Sequence, residues 1–184
     1  PLAVLPGMEV ASREEVHTLA LFENIIRLRH FQELVYGHLE GENDEEVFGC
    51  QAIVNEYDEV EGFNGRLLIG ATDLPLQEII AGIHGEGGIA IAAHVDRESF
   101  SVIGQLGFID PSFAFDALEF TPRTGLGKAR QCNPDLARYP FISSSDAHFI
   151  GDIGRGWTEM LLAEASFREV RLALAGGKGR RING

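Results

Sequence analysis

Five side chains able to ligate a metal ion stand beside apolar runs of this chain: Glu9, His17, His94, Asp146 and His148. Imidazole and carboxylate together suit zinc, manganese or iron, and a carboxylate can bridge two ions. Taken singly, each has a simpler explanation. A histidine after a strand is more often hydrogen-bonded than metal-bound, and Glu9 alone reads equally well as a solvated loop residue. Asp146-Ala147-His148 carries more weight, because D-x-H sets two ligand types two residues apart in one tight loop. The five together favour a metal site.

The elements that must position them alternate short apolar runs with amphipathic stretches, the pattern of βα units around a mostly parallel sheet. Residues 2–5 read as a strand leading through Pro6-Gly7-Met8 to Glu9, and 16–22 as a second strand with His17 at its start. Leu28, Phe31, Val35 and Leu39 recur at helical spacing and predict a helix over 23–39. A second helix follows Thr72-Asp73, either of which can cap it, with Pro75 in its first turn and one stripe of Leu76, Ile79, Ile80 and Ile83. Residues 89–93 form an apolar strand running into His94, 141–144 a strand running into the Asp146 loop, and 117–120 and 157–162 two more, the last closing the series. Phe100, Ile103 and Leu106 predict a short helix, and Ser166 with Glu169 is a capping box opening a final one. In parallel α/β folds functional groups gather at the carboxyl ends of strands, where four of the five candidates fall. Residues 40–66 are acidic and punctuated by glycine, with 51–55 and 60–63 able to pair; they read as a hairpin or loop insertion in a single domain spanning 1–184.

Composition excludes several function classes. The 184 residues hold 15 Lys+Arg against 28 Asp+Glu, a formal net charge of -13 that argues against binding nucleic acid by counterion release. No apolar run approaches the roughly 20 residues of a membrane helix, and the opening residues lack a signal-peptide pattern. The expectation is a cytoplasmic protein with no membrane partner. Cys50 and Cys132 form no C-x-x-C, so neither a disulfide framework nor a zinc ribbon is indicated. Gly125-Leu126-Gly127-Lys128-Ala129 fails as a phosphate-binding loop, with Pro at 122 and Ala at 129. Gly151, Gly154 and Gly156 are not the dinucleotide fingerprint and instead let the backbone turn beside the D-x-H loop.

Three stretches carry a resemblance. Pro6-Gly7-Met8-Glu9-Val10 followed by His17-Thr18-Leu19-Ala20-Leu21-Phe22, then Gly87-Gly88 leading through 89–92 to Ala93-His94, then Ser144-Ser145-Asp146-Ala147-His148, are similar to the "G-x-E … H-x-L-x-x-F", "GG-x-x-x-x-AH" and "SDAH" motifs of the PHP (polymerase and histidinol phosphatase) metallo-phosphoesterases. The resemblance implies an α/β fold that is an incomplete distorted (β/α)7 barrel of the PHP type, with mostly parallel strands, outer helices and up to three divalent ions in a cleft at the strand ends. It implies Glu9 bridging two ions, His17 and His94 on one of them, Asp146 on another and His148 on a third. The family opens with an H-x-H strand and a second histidine-bearing strand, both absent here, so the chain reads as the C-terminal two-thirds of the family domain. The histidine motif continues as Val95-Asp96-Arg97 in place of the more usual proline. Arg97 is thereby a candidate for substrate binding, since a guanidinium beside metals can clamp a phosphate bidentately; a surface ion pair with Asp96 or Glu98 is the other reading.

The function expected is hydrolysis of a phosphate ester by metal-activated water, on a small phosphorylated substrate such as a nucleotide or sugar phosphate. No catalytic residue beyond the metal ligands is expected, and G-x-S-x-G is absent. The alternatives are a nuclease acting on short oligonucleotides, and a non-catalytic binding or scaffold domain with an incomplete metal site. With the first strands missing, the chain by itself is expected to be a poor enzyme and to self-associate through an exposed sheet edge.

Overall fold

The computed structural model describes residues 2–183. Strand β1 (Gly7–Ala11) turns back at Ser12 into β2 (His17–Leu21), pairing antiparallel from Gly7↔Leu21 to Ala11↔His17. The turn is held by the buried Ser12 hydroxyl, which accepts from the N–H groups of Glu14 and Val16. β2 lies antiparallel to β5 (Ile89–Ala92), and β5, β6 (Ala117–Glu119) and β7 (Phe141–Ile142) follow in parallel, giving one open sheet of order β1-β2-β5-β6-β7.

This corrects the mostly parallel barrel. Two of the four pairings are antiparallel, and no closed barrel forms among the described residues. A parallel pair needs a crossover of about a dozen residues or more. The short turn 12–16 permits only a hairpin, whereas β5–β6 and β6–β7 are joined by helical crossovers. The strand expected at 2–5 is not one: Leu2 and Val4 are exposed, and the first strand starts at Gly7.

The apolar run of β5 is buried on both faces. Ala90 and Ala92 meet the larger core with Phe22, Phe31, Leu118 and Phe141, while Ile89 and Ile91 meet the smaller one with Ala117, Ile142 and Phe167. On the first face pack α1 (Ile25–Gly37), capped by the Asn24 side chain, and α3 (Leu76–Gly85), whose stripe Leu76, Ile79, Ile80 and Ile83 is fully internal. Neither Thr72 nor Asp73 caps α3. Glu14 does so from the hairpin turn, its carboxylate accepting the Leu76 N–H at 2.9 Å. Gly88 must lack a side chain, since a Cβ there would lie 2.6 Å from Phe22 Cε1 and 2.9 Å from the Ile83 carbonyl.

The remaining elements are peripheral. α2 (Glu45–Phe48) precedes an exposed hairpin of β3 (Ala52–Val54) and β4 (Val60–Phe63) within the acidic region. Short helices α4 (Val102–Leu106) and α5 (Leu126–Cys132) stand in the two crossovers. β8 (Glu159–Leu161) is not the last strand: it pairs antiparallel with β9 (Arg181–Asn183), and α6 (Phe167–Leu174) lies between them. Ser166 caps α6, but Glu169 accepts from the Ala163 N–H and from Arg180. No described helix is long and apolar enough to cross a membrane.

Candidate metal centre at the strand ends

Reversal of β2 decides the site. Because β2 runs against both neighbours, its first residue lies at the same end of the sheet as the last residues of β1 and β5. Glu9 is two residues before Ala11, the partner of His17, so Glu9 and His17 project diagonally from one face. Glu9 thus stands within β1 and not in a loop after a strand. His94 leaves β5 just beyond Ala92, in the left-handed region at φ 31°.

These three converge. One ligand atom from each of Glu9, His17 and His94 lies within 4.8 Å of the others. Glu9 Oε1 is 3.3 Å from His17 Nδ1 and 3.6 Å from His94 Nε2. The His17 Nδ1 that faces Glu9 is buried and makes no hydrogen bond, the condition of a ligand atom whose partner is a cation; on His94 the nitrogen facing Glu9 is Nε2, and its buried Nδ1 also has no hydrogen-bond partner. The donor set of two imidazoles and a carboxylate fits a divalent metal. Burial pushes the Glu9 carboxyl up, but the two histidines against it prevail and hold it at about 2 instead of 4.5. The site therefore keeps an anion ready for a cation at any ordinary pH. Phe100 stacks on the His17 ring at 4.8 Å between centroids, and its carbonyl accepts the His17 N–H.

Asp146 and His148 are placed differently. Asp146 also has a positive φ, 45°, and its carboxylate is engaged by the Arg97 guanidinium, a partner that replaces both surface acids considered for Arg97. His148 is largely exposed, with Nδ1 2.9 Å from the Asp146 carbonyl oxygen, and lines a cavity of about 500 Å3 together with Glu9, His17, Arg97 and Phe100. Five candidate side chains thus gather at one end of the sheet, three in mutual reach and two across Arg97. The glycines after the loop serve Ser145, whose hydroxyl accepts from the Gly154 and Gly156 N–H groups and donates to the Gly156 carbonyl.

One residue of the site escaped sequence reasoning. Glu119 ends β6, is 3% exposed, and accepts the His94 N–H at 3.0 Å on one oxygen and the Ser144 hydroxyl on the other. It ties the histidine turn to the S-S-D-A-H loop. The signal was one acid in the apolar run Ala117-Leu118-Glu119-Phe120, since a carboxylate in a buried strand needs partners.

Comparison with known proteins extends this picture. Residues 135–178, which include the D-x-H loop, match the family model described as PHP-associated. The uncharacterized protein YqxK of Bacillus subtilis (strain 168) is 36% identical over 109 residues, covering 52% of this chain and 26% of that protein. Among solved structures, the lesion-specific endonuclease PfuEndoQ from Pyrococcus furiosus superposes with a TM-score of 0.71 at 22% identity, over 96% of this chain and 40% of its own. Endonuclease Q in complex with a 27-mer duplex substrate bearing an abasic lesion at the active site gives 0.65 at 21%, over 95% and 40%. The chain therefore spans about a quarter of the curated relative and two-fifths of the solved ones. These neighbours overturn the expected partner. The fold is shared with a lesion-specific endonuclease and with Endonuclease Q solved on a duplex substrate, which points to nucleic acid and not to a small phosphorylated substrate. A net charge is a sum over the whole surface and does not set its sign beside the strand ends.

Proposed function

We propose that this chain, a PHP-type protein by its motifs, its PHP-associated segment and its fold, contributes the strand-end metal centre of a nuclease, hydrolysing a phosphodiester bond in nucleic acid. The observation that carries the reading is the convergence of Glu9, His17 and His94, with the buried His17 Nδ1 facing Glu9 and making no hydrogen bond. The endonuclease neighbours supply the substrate class.

Glu9, His17 and His94 would hold the ion, and Asp146 and His148, across the cavity, would be its further ligands. A divalent ion there supplies positive charge to a phosphoryl oxygen and lowers the pKa of water. Glu119 fixes the His94 backbone, and with it the direction of the ring. Arg97, already held against Asp146, presents a planar pair of donors to a non-bridging phosphate oxygen. Phe100 covers one face of the His17 ring.

The test uses a labelled duplex with one abasic position and an undamaged control, each incubated with the chain and manganese. Strand scission that EDTA and Glu9→Gln both abolish is expected. Equal manganese affinity in wild type and Glu9→Gln, measured by calorimetry, would sink the metal assignment whatever the cleavage result.

A further inference from the structure

Beyond Arg97 the site opens into a second and larger cavity, of about 850 Å3. Arg97 and Phe100 line both, so the two spaces adjoin across these side chains. The far wall belongs to the crossover after β6 and carries Arg123 and Lys128. Both are exposed, and neither side chain makes a hydrogen bond or an ion pair with any described residue.

The acids of this wall do not cancel them. Asp96 is committed to its own scaffold: its carboxylate accepts the Thr121 N–H at 2.9 Å and the hydroxyls of Thr121 and Thr124. Burial pushes the Asp96 carboxyl up, and those hydrogen bonds outweigh it and keep it ionised. Asp96 thereby pins the crossover against the His94 turn, and of the acids lining the cavity only Glu98 stays uncommitted. In a chain of net charge -13, a cleft wall with two unpaired cations, reached through a third, calls for an anion from outside.

We infer that the Arg97–Arg123–Lys128 cleft is a subsite for the sugar-phosphate backbone, binding phosphates that flank the one reacting at the metal centre. This rests on the nuclease reading and specifies how the strand runs, outward past Arg97 and over α5. A small monophosphate has a single phosphate for Arg97 and leaves the outer pair idle. A polynucleotide repeats its charge along the strand and engages all three. Cations in such a groove act on the backbone and are indifferent to sequence.

The experiment separates the subsite from the reading beneath it. The double variant R123A/K128A changes two exposed side chains, so circular dichroism, melting temperature and manganese affinity should match wild type. Binding of a fluorescein-labelled duplex is followed by anisotropy in EDTA across a series of salt concentrations. Loss of two phosphate contacts should lower the slope of log K against log salt by about 1.8, and by about 1.4 for a single strand. An unchanged slope, with wild-type binding intact and cleavage still dependent on Glu9, overturns the subsite and leaves the nuclease standing. Absence of oligonucleotide binding by wild type at low salt overturns both.

Discussion

Replacing Glu119 tests whether the buried carboxylate holds the histidine turn in place. Its two oxygens face different kinds of donor: the His94 N–H, which can only donate, and the Ser144 hydroxyl, which can rotate and accept. Glu119→Gln keeps the shape and can satisfy both, with its carbonyl towards His94 and its amide towards Ser144. What it loses is the strengthening of a charged acceptor, about 1 kcal/mol. Glu119→Ala leaves the His94 N–H unpaired where the residue was 3% exposed, and adds a cavity. Together these cost about 3 kcal/mol. With a urea slope of about 2 kcal/mol per molar, the midpoint falls by about 1.5 M for Ala and about 0.5 M for Gln. Manganese titration should show a loss of about tenfold or more for Ala, because His94 is no longer held at its positive φ. Ser144→Ala, alone and combined with Glu119→Gln, should show a coupling of about 0.5 kcal/mol or more. Equal midpoints for the Ala and Gln variants, or wild-type manganese affinity in Glu119→Ala, would refute the reasoning.

Other consequences are open to measurement. Glu9→Gln and Asp146→Ala should each weaken manganese binding by more than tenfold, while metal-free stability moves by no more than about 1–2 kcal/mol, since neither side chain belongs to the core; unfolding of either variant without metal would make these residues structural. The Glu9 carboxyl lies at about 2 in the folded chain against 4.5 otherwise, so its stabilisation is complete above pH 4.5 and is lost as pH falls towards 2. With more than a third of that side chain exposed, solvent screening reduces the effect to about 1 kcal/mol. Thermal melts at pH 5 and pH 2.5 should therefore differ less in Glu9→Gln than in wild type. Gly88→Ala should lower stability by about 2 kcal/mol, because the new methyl meets Phe22 and the Ile83 carbonyl and cannot displace backbone cheaply; an unchanged melting temperature contradicts that.

Much of the scaffold was legible because it obeys local rules. The unbroken apolar run 89–93 announced a strand buried on both faces, and the stripe of Leu76, Ile79, Ile80 and Ile83 announced a helix packed on one. Direction was not legible. Periodicity gives a strand its faces but not its neighbour, so nothing in 16–22 revealed that β2 runs against both β1 and β5. That omission left His17 looking misplaced at the wrong end of a strand, when reversal brings it to the cluster. Long-range side-chain bonds to backbone were equally hidden: Glu14 capping α3 across 62 residues and Glu119 holding His94 across 25 leave no periodic trace. Net charge is a poor guide to a local surface, because it averages over the acidic region 40–66 and the cleft carrying Arg123 and Lys128 alike.

The β1–β2 hairpin has a consequence for how the chain reaches its native state. Glu9 and His17 share a face in the pairing that sets Ala11 against His17. A slip of one residue turns one strand over and sends the two ligands to opposite sides. An ion that requires both is then a reader of alignment, bound by the native hairpin and not by one slipped by a single residue. At 100 times its dissociation constant such an ion favours the native pairing by about 2.7 kcal/mol. Metal uptake would act as a proofreading step in assembly, and amide exchange along β1 and β2 would slow on loading more than exchange along β7.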